Sequence, residues 1–422
     1  MSHILDTDEF QRGDTLIFDN IHGYIEIDDI AKSIIDTPEF QRLRRIHQGG
    51  VLYYVFPTAN HSRFEHSIGT YHLARKIITN IKKNQPELKI TSKIIKIVSI
   101  AGLCHDLGHL MYSHLFDDLF LPKLKNYENF GKLAVHEERS ILILGNIIRK
   151  YKINMSDEEF VVIGDLINPK TSDYEKWNEE FKIGKWMFEI ISNPKNNVDV
   201  DKFDYINRDN RAIGLKLDVD FSRLILQPQV INDEICYPIQ AKENLYHLFF
   251  IRYQLHRRVY HHKTVKAIEI MLVELLFELE KSHNISEYLN DIDKMILLVD
   301  GFIFNTENKK VNDIINKIET RQLPSLVFER ISLEKINFSK GVFDKFKEDD
   351  FEVINYKVGY TSGKNPNPLS KIKFYKPKNK NIIPGITIQN FSLLTNENHQ
   401  EFVSRVYCKN NEIKEELYHA LN

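Results

Sequence analysis

The strongest chemical signal in the chain is the run Leu103-Cys-His-Asp-Leu-Gly-His109, which follows an apolar helical stretch. His105 and His109 are four positions apart, so they share one helix face, and Asp106 lies beside His105. An adjacent His and Asp can give one nitrogen and one oxygen ligand to a single cation. Such a mixed set suits Mn, Fe, Zn or Ni better than an ion that prefers thiolates.

Two ligands do not hold a metal firmly, so further ligands must come from elsewhere in the chain. His66 follows Arg63 in one segment, and Asp199, Asp201 and Asp204 are spaced along another. Taken singly, a His-Asp pair is more often a hydrogen-bonded helix end, and spaced acids are more often helix caps. The ordered combination of the three segments favours a metal site with open positions for water and a phosphate oxygen. Its ligands would be His66, His105, Asp106 and Asp201.

The elements that position these residues are predicted to be mostly helices. Apolar spacing predicts helices over 29–46 with a break at Thr37-Pro38, over 65–81, and over 93–107 with Gly108 ending the last. Further helices are predicted at 136–150, 157–167, 184–192, 221–226, 243–262 and 264–281. Residues 15–27 are predicted to form two short strands around Gly23.

The last hundred residues have a different pattern. Apolar residues alternate at period two over 354–360, 372–374 and 386–388, which indicates strands. The expected fold class is therefore mainly α, a helical core with a small N-terminal β-hairpin and a C-terminal α/β lobe. The predicted division is an N-terminal tail at 1–14, a helical domain at 15–322 and the lobe at 323–422.

Composition sets limits on location and partners. The 422 residues carry 57 Lys and Arg against 59 Asp and Glu, which argues against binding nucleic acid by bulk charge. Three well-separated cysteines indicate a reducing compartment rather than a disulfide scaffold. The N-terminal residues lack the pattern of a signal peptide, and no apolar run is long enough for a membrane span. We expect an intracellular protein, cytoplasmic or nuclear, that is soluble and not secreted.

Several longer motifs, in order, resemble the SAM-and-HD-domain dNTP triphosphohydrolase family. The resemblance runs from about residue 15 to residue 410, and only residues 1–14 precede it, so no SAM domain is expected. The motifs are Ile34-Ile-Asp-Thr-Pro-Glu-Phe-Gln-Arg-Leu-Arg44, Tyr53-Tyr-Val-Phe-Pro57, His61-Ser-Arg-Phe-Glu-His-Ser67, the run from Ala101 to His109, Asp199-Val-Asp-Lys-Phe-Asp-Tyr205, His256-Arg-Arg-Val-Tyr-His-His-Lys263 and Arg405-Val-Tyr-Cys-Lys409.

The resemblance implies an HD-domain helical core that hydrolyses a deoxynucleoside triphosphate to the deoxynucleoside and inorganic triphosphate. It implies a divalent transition metal (Fe, Mn, Zn or Ni) on His66, His105, Asp106 and Asp201, and Mg bound with the nucleotide. The catalytic residues that it implies are His109, His114, Asp117, His136 and Glu137. The implied substrate-binding residues are Gln48, Arg63, Lys202, Tyr205, Asp209, Arg252, His256 and Tyr260.

One departure lies in the substrate pocket, where the family has Gln-Leu-Gly and this chain has Gln48-Gly49-Gly50. The missing leucine side chain is expected to loosen the wall around the sugar and to weaken selectivity against a 2′-hydroxyl. The glycine at position 49 also favours an alternative interpretation, in which the substrate is another phosphoester: a nucleoside monophosphate, an rNTP or single-stranded nucleic acid.

Regulation matches the family only in part. The family assembles a homotetramer around nucleotides bound between subunits, and a GTP or dGTP effector site is implied here, with contacts in the C-terminal lobe. Phe18 and Tyr24 replace polar residues of the second effector site, and Thr15, Pro238 and Gln240 replace basic ones. We therefore expect guanine-nucleotide binding to survive and the deoxynucleotide effector site to be altered or lost. The implied effector residues are Asp36, Gln41, Arg44, Arg223 and Asn244.

A third interpretation is a non-catalytic regulator that binds nucleotides or nucleic acid on an inherited scaffold. Its basic contacts would be 42–45 and 371–380, and such binding would weaken steeply with salt. The intact His105-Asp106 pair favours an enzyme over this interpretation.

Overall fold

The computed structural model describes residues 15–169, 177, 184–217, 219–338, 341–361, 367–377, 382–383 and 398–421. The fold is mainly α, as the sequence predicts. Helices occur at α1 (Asp29–Ile35), α2 (Pro38–Gln41), α3 (Arg63–Asn84), α4 (Ser92–Cys104), α5 (His136–Tyr151), α6 (Asp157–Ile167), α7 (Val200–Ile213), α8 (Ser222–Leu226), α9 (Lys242–Leu255), α10 (Lys263–His283), α11 (Ile292–Met295), α12 (Lys309–Glu319) and α13 (Lys414–Leu421).

The N-terminal hairpin is confirmed. Its strands β1 (Thr15–Asp19) and β2 (Gly23–Ile27) pair antiparallel. The predicted break in the first helical stretch is also present, because Thr37 caps α2 and Pro38 takes the first helical position. A short 3₁₀ helix, Arg42–Arg45, follows and leads the chain towards the site.

The predicted metal ligands lie in the first turns of α3 and α7 and directly after the end of α4. Ser62 and Glu65 form a capping box at the start of α3. Thr91 caps α4, which ends at Cys104 rather than at Leu107, so His105 is the first residue beyond the helix. Helix α7 was not among the predicted helices, although Asp199 caps it through the backbone N–H of Lys202.

Two predicted helices differ from the structure. The segment predicted as a helix at 184–192 forms only a short 3₁₀ helix, Lys185–Glu189. Gly184 precedes this helix and Ile190 follows it. The segment predicted at 243–262 divides into α9 and a π-helical turn, His256–Tyr260. A π-helical turn inside a helix often marks a functional site, and this one carries His256 and Tyr260.

The C-terminal strands form two sheets. β5 (Ser325–Ser332), β9 (Gln400–Cys408) and β6 (Phe351–Gly359) make an antiparallel sheet in the order β5-β9-β6. The second sheet has the order β3-β4-β7-β8, with β3 (Gln229–Ile231), β4 (Glu234–Pro238), β7 (Lys373–Tyr375) and β8 (Ile382–Ile383). The predicted strands over 354–360 and 372–374 are thus present as β6 and β7, and 386–388 lies outside the described residues.

The division of the chain at residue 323 stays a prediction. β4 and β7 pair in parallel, so strands from both sides of that position share one sheet. Leu369, Ile372 and Phe374 also pack in the large core that α3 and α4 build. In the described part of the chain, no helix combines the length and the apolar character that crossing a bilayer requires.

Candidate active site

The four predicted metal ligands meet at one point between α3, α4 and α7. Nε2 of His66 lies 3.2 Å from Oδ1 of Asp201 and 3.5 Å from Oδ2 of Asp106. Nε2 of His105 lies 3.4 Å from Oδ1 of Asp106 and 3.7 Å from Oδ1 of Asp201. Two nitrogen and two carboxylate ligands therefore surround one small volume.

Neighbouring acceptors fix the orientation of both imidazoles. Nδ1 of His66 lies 2.8 Å from Oδ2 of Asp204, and Nδ1 of His105 lies 2.8 Å from the carbonyl oxygen of Gly102. Because each acceptor requires a proton on Nδ1, Nε2 is the nitrogen of each ring that faces the carboxylates and that a metal could use. This is the arrangement by which proteins orient histidine ligands of metals.

The donor set fits a divalent cation. The buried Nε2 atoms of His66 and His105 have no hydrogen-bond partner among the described residues. Burial acts to lower the pKa of His66, but the nearby carboxylates of Asp201 and Asp204 raise it to about 10. The crowded carboxylates thus attract positive charge, and a bound cation would displace the proton. The mixed nitrogen and oxygen ligands suit Fe, Mn, Zn or Ni.

Three further histidines lie beside this cluster. The rings of His109 and His136 are stacked with their centroids 3.8 Å apart, and the ring of His114 is edge-on to His109 at 5.0 Å. The start of α5 reaches His109 because Gly108 has no side chain: a Cβ there would lie 2.1 Å from the carbonyl oxygen of His136. The turn that follows His105 and Asp106 therefore depends on glycine at position 108.

Asp117 connects this group to the protein interior. Its Oδ1 accepts a hydrogen bond from Arg139 at 2.5 Å, and its Oδ2 lies 3.4 Å from Nδ1 of His136. Burial acts to lower the pKa of His136, but the bond with Asp117 and the charge of Glu137 raise it. For His109, burial and the charge of Arg63 hold the pKa well below its usual range. The two stacked histidines thus have pKa values shifted in opposite directions.

A cavity of about 930 Å³ contains the site. The predicted metal, catalytic and substrate-binding residues line it, except His66 and Asp117. The lining set is Gln48, Arg63, His105, Asp106, His109, His114, His136, Glu137, Asp201, Lys202, Tyr205, Asp209, Arg252, His256 and Tyr260. Residues far apart in sequence therefore converge on one volume.

Three of the implied substrate-binding residues on this wall are cations: Arg63, Lys202 and Arg252. Arg63 is buried, pairs with Asp106, and donates from Nε to Oγ of Ser113 at 2.8 Å. Nζ of Lys202 lies 3.0 Å from Asp199. Burial acts to lower the pKa of Lys202, but the charges of Asp199 and Asp201 raise it. The lysine is therefore positively charged at neutral pH.

The predicted sugar pocket is organised by Asp209. Its Oδ1 lies 2.5 Å from Nε2 of His61, and its Oδ2 accepts a hydrogen bond from the hydroxyl of Tyr260. Burial and the charge of Asp209 raise the pKa of Tyr260 well above its usual range, so the hydroxyl keeps its proton. The ring of Tyr260 packs edge-on against His256 at 4.9 Å.

The predicted effector residues lie outside this cavity, in two groups. Nε of Arg44 donates to Oε1 of Gln41 at 2.8 Å, and the exposed Asp36 pairs with Lys32 on the preceding helix. In the second group, Arg223 donates to the carbonyl of Gln240 at 2.8 Å and Asn244 to the carbonyl of Asp220 at 3.2 Å. Their roles as effector ligands stay predictions.

Asp300 was missed by the sequence analysis. It is 5% exposed and accepts hydrogen bonds from the backbone N–H of His47 at 2.9 Å and from that of Tyr112 at 2.6 Å. It thereby joins the loop that carries Gln48 to Tyr112 and Ser113, which have left-handed φ values of 58° and 57°. An acid that binds backbone donors from distant segments leaves no pattern in the sequence.

Comparisons with known proteins agree with this geometry. Residues 63–196 match the HD domain family. The chain is 37% identical to the deoxynucleoside triphosphate triphosphohydrolase SAMHD1 homolog of Dictyostelium discoideum, over 98% of this chain and 81% of that protein. It is 32% identical to the human deoxynucleoside triphosphate triphosphohydrolase SAMHD1, over 93% of this chain and 70% of that protein. The similarity therefore extends well beyond the HD segment.

Proposed function

Because the chain belongs to the SAMHD1 family of deoxynucleoside triphosphate triphosphohydrolases, we propose that it hydrolyses dNTPs to deoxynucleoside and inorganic triphosphate. In this reaction the oxygen of water bonds to the α-phosphorus, the bond from phosphorus to O5′ breaks, and O5′ takes up a proton. The observation that carries the proposal is the convergence of a two-His, two-Asp cluster, three cations and a histidine group on one cavity.

His66, His105, Asp106 and Asp201 would hold the divalent cation. When bound, such a cation lowers the pKa of water and offsets negative charge on phosphate oxygens. Asp204 and the carbonyl of Gly102 would keep the two imidazoles in the tautomer that leaves Nε2 free for the cation. Mg would enter with the triphosphate of the substrate.

Arg63, Lys202 and Arg252 would hold the triphosphate. Arginine suits this role because its guanidinium donates two parallel hydrogen bonds to phosphate oxygens. All three side chains line the same cavity as the ligand cluster, and each is anchored by a protein acceptor, so little side-chain freedom is lost on binding.

His136 would protonate the leaving O5′. Its Nδ1 faces Asp117 at 3.4 Å, which directs Nε2 towards the cavity, and the raised pKa favours the protonated form. His114 is a second candidate for the acid, and its ring lies at the exposed rim of the cavity. His109, with its lowered pKa, would act as a neutral partner of a phosphate oxygen.

Tyr205, Asp209, His256 and Tyr260 would bind the deoxyribose, with Gln48 near its 3′-hydroxyl. The pair formed by Asp209 and Tyr260 presents one acceptor and one aromatic face to the sugar. A binding-only role for the protein has no specific observation in its favour, since His66, His105 and Asp201 form one group that could hold a metal and Asp106 lies within 3.5 Å of both histidines.

For regulation, we propose that a guanine nucleotide binds near Asp36, Gln41 and Arg44 between subunits of a homo-oligomer. The second effector site would be altered, because Phe18 and Tyr24 are 67% and 70% exposed and contact each other edge-to-face at 5.2 Å. Sedimentation with and without GTP and dNTP tests this. A monomer that becomes a tetramer only with dNTP would contradict it.

The activity is tested by identifying the products. Purified protein is incubated with Mn or Mg and each dNTP and rNTP, with and without GTP, and nucleoside, monophosphate, pyrophosphate and triphosphate are resolved. Deoxynucleoside with inorganic triphosphate is expected, lost in His105→Ala/Asp106→Ala and kept in the control His419→Ala, an exposed histidine on α13. Release of monophosphate, or no product, would refute the proposal.

A further inference from the structure

The wall of the cavity beside Gln48 combines the substitution at position 49 with a buried leucine three residues later. Gly49 stands where the family has leucine, and Gly49, Val51 and Leu52 all line the cavity. A Cβ placed on Gly49 would lie 2.5 Å from Cδ1 and 2.9 Å from Cγ of Leu52. The space into which a side chain at position 49 would project is therefore occupied by the side chain of Leu52.

Backbone conformation does not account for the glycine at 49. Gly50 has a φ of +56°, and a Cβ there would lie 3.1 Å from the carbonyl oxygen of Tyr112, so position 50 requires glycine. Gly49 is outside the left-handed region, and the three heavy atoms nearest to a Cβ placed there all belong to Leu52. The side chain of Leu52 is thus the nearest obstacle to a side chain at position 49.

Leu52 is held firmly in this place. It begins a 3₁₀ helix, Leu52–Tyr54, and its N–H donates to the carbonyl of Gly49 at 3.2 Å. Its own carbonyl accepts from Val55 at 2.9 Å and from Phe56 at 2.8 Å. The residue is 1% exposed. Its backbone is therefore fixed and its side chain is packed, so the side chain cannot turn away to admit a larger ligand without losing packing contacts.

We infer that Leu52 replaces the missing side chain at position 49 as the apolar wall of the sugar pocket, and that it determines selectivity against a 2′-hydroxyl. The inference rests on the proposed dNTP hydrolysis, and it reverses the expectation that Gly49 loosens this wall. A 2′-hydroxyl against Leu52 would lose its bonds to water without gaining a partner. An apolar wall of this kind discriminates by a factor of roughly 10 to 100.

The test compares four proteins: wild type, Leu52→Gly, Gly49→Leu, and the exchange variant Gly49→Leu/Leu52→Gly. For each, the ratio of kcat/KM for dATP to that for ATP is measured from triphosphate release. Leu52→Gly should lower the ratio about tenfold or more, mainly through a smaller KM for ATP. Gly49→Leu should raise KM for both nucleotides because two side chains then compete for one space. The exchange variant should recover a ratio near that of wild type.

A stability control separates selectivity from loss of packing. Leu279→Ala removes a fully buried leucine from α10 and should lower the melting temperature without changing the ratio. Should Leu52→Gly not fold, Leu52→Ala and the exchange variant provide the same comparison. An unchanged ratio in folded Leu52→Gly or Leu52→Ala, or an exchange variant that stays unselective, would overturn the inference. Failure of the proposed function would look different, since the wild type would then release no triphosphate from dATP.

Discussion

Replacing Asp300 by asparagine tests whether the site depends on a residue that touches neither metal nor substrate. Oδ2 of Asp300 accepts from the N–H and from Nδ1 of His47, and Oδ1 accepts from the N–H of Tyr112. Asparagine has the same shape but only one acceptor oxygen, and its amide group would face a donor. The loop that carries Gln48 and the strained turn at Tyr112 would no longer be fixed to each other.

The size of the effect follows from these contacts. In the less costly orientation the asparagine oxygen keeps the two bonds from His47 and loses the bond from Tyr112. A buried hydrogen bond to a charged group contributes about 1.5–3 kcal/mol, so a loss of that order in the free energy of unfolding is expected. Ser113 accepts from Arg63 and donates to the carbonyl of His47, each at 2.8 Å. A shift of about 1 Å in such a positioning contact lowers kcat/KM by about 10²-fold.

The assay measures three quantities on the same preparation: kcat/KM for dATP, melting temperature, and metal content by elemental analysis. Metal content should stay at the wild-type value, because the four predicted ligands make no contact with Asp300. The control is Asp291→Asn, which changes an exposed helix cap that asparagine can replace. It should leave all three quantities nearly unchanged.

Two results would refute the reasoning. Wild-type kcat/KM in a folded Asp300→Asn protein would show that the loop is fixed by other contacts. Loss of metal together with activity would show that Asp300 supports the ligand cluster rather than the loop.

Three further changes test other parts of the site. Asp204→Asn removes the negative charge beside His66 and leaves one acceptor oxygen for the donors of His66, His22 and Arg208. The orientation of His66 is then weakened, so metal affinity measured by titration should fall about 10–100-fold, and unchanged affinity would contradict this role. Asp117→Asn removes a carboxylate that raises the pKa of His136. The acid is lost as the pH rises through that pKa, so the decline of kcat should begin at a lower pH than in wild type, and a profile that does not move would exclude His136 as the acid. Tyr260→Phe removes a hydroxyl from the sugar pocket and should raise KM for dATP about tenfold with kcat nearly constant, whereas a fall in kcat alone would indicate a different role.

The ligand cluster was predictable because its residues carry a distinctive combination of types and order. His66, His105, Asp106 and Asp201 are separated by up to 135 positions in the chain, yet they converge as expected. Two of the helices beside them also follow from apolar spacing, since α3 and α4 carry apolar residues at helical intervals, although α4 is buried on all sides from Ile97 to Cys104. Local apolar spacing and side-chain chemistry were sufficient to predict this part of the fold.

Other features depend on contacts that sequence does not display. Asp300 acts through backbone donors, and any buried acid could play that part. Leu52 looks like an ordinary core residue until its distance from Gly49 is known. Helix α7 was missed although Asp199 fits a helix cap, because Asp204, Arg208 and Asp209 are half of the residues that the helix buries and they leave no apolar stripe. In each case a contact inside the folded protein decided the outcome.

The parallel pairing of β4 with β7 has a consequence for how the protein is made. A ribosome that has synthesised the chain as far as residue 322 has added every predicted metal ligand, yet β4 has only β3 beside it and still lacks β7. The carbonyl of Gly359, which receives Arg252, and Lys409, which lines the cavity, emerge later still. The pocket is therefore completed only after residue 409 has been synthesised, so chains that stop earlier lack a finished site.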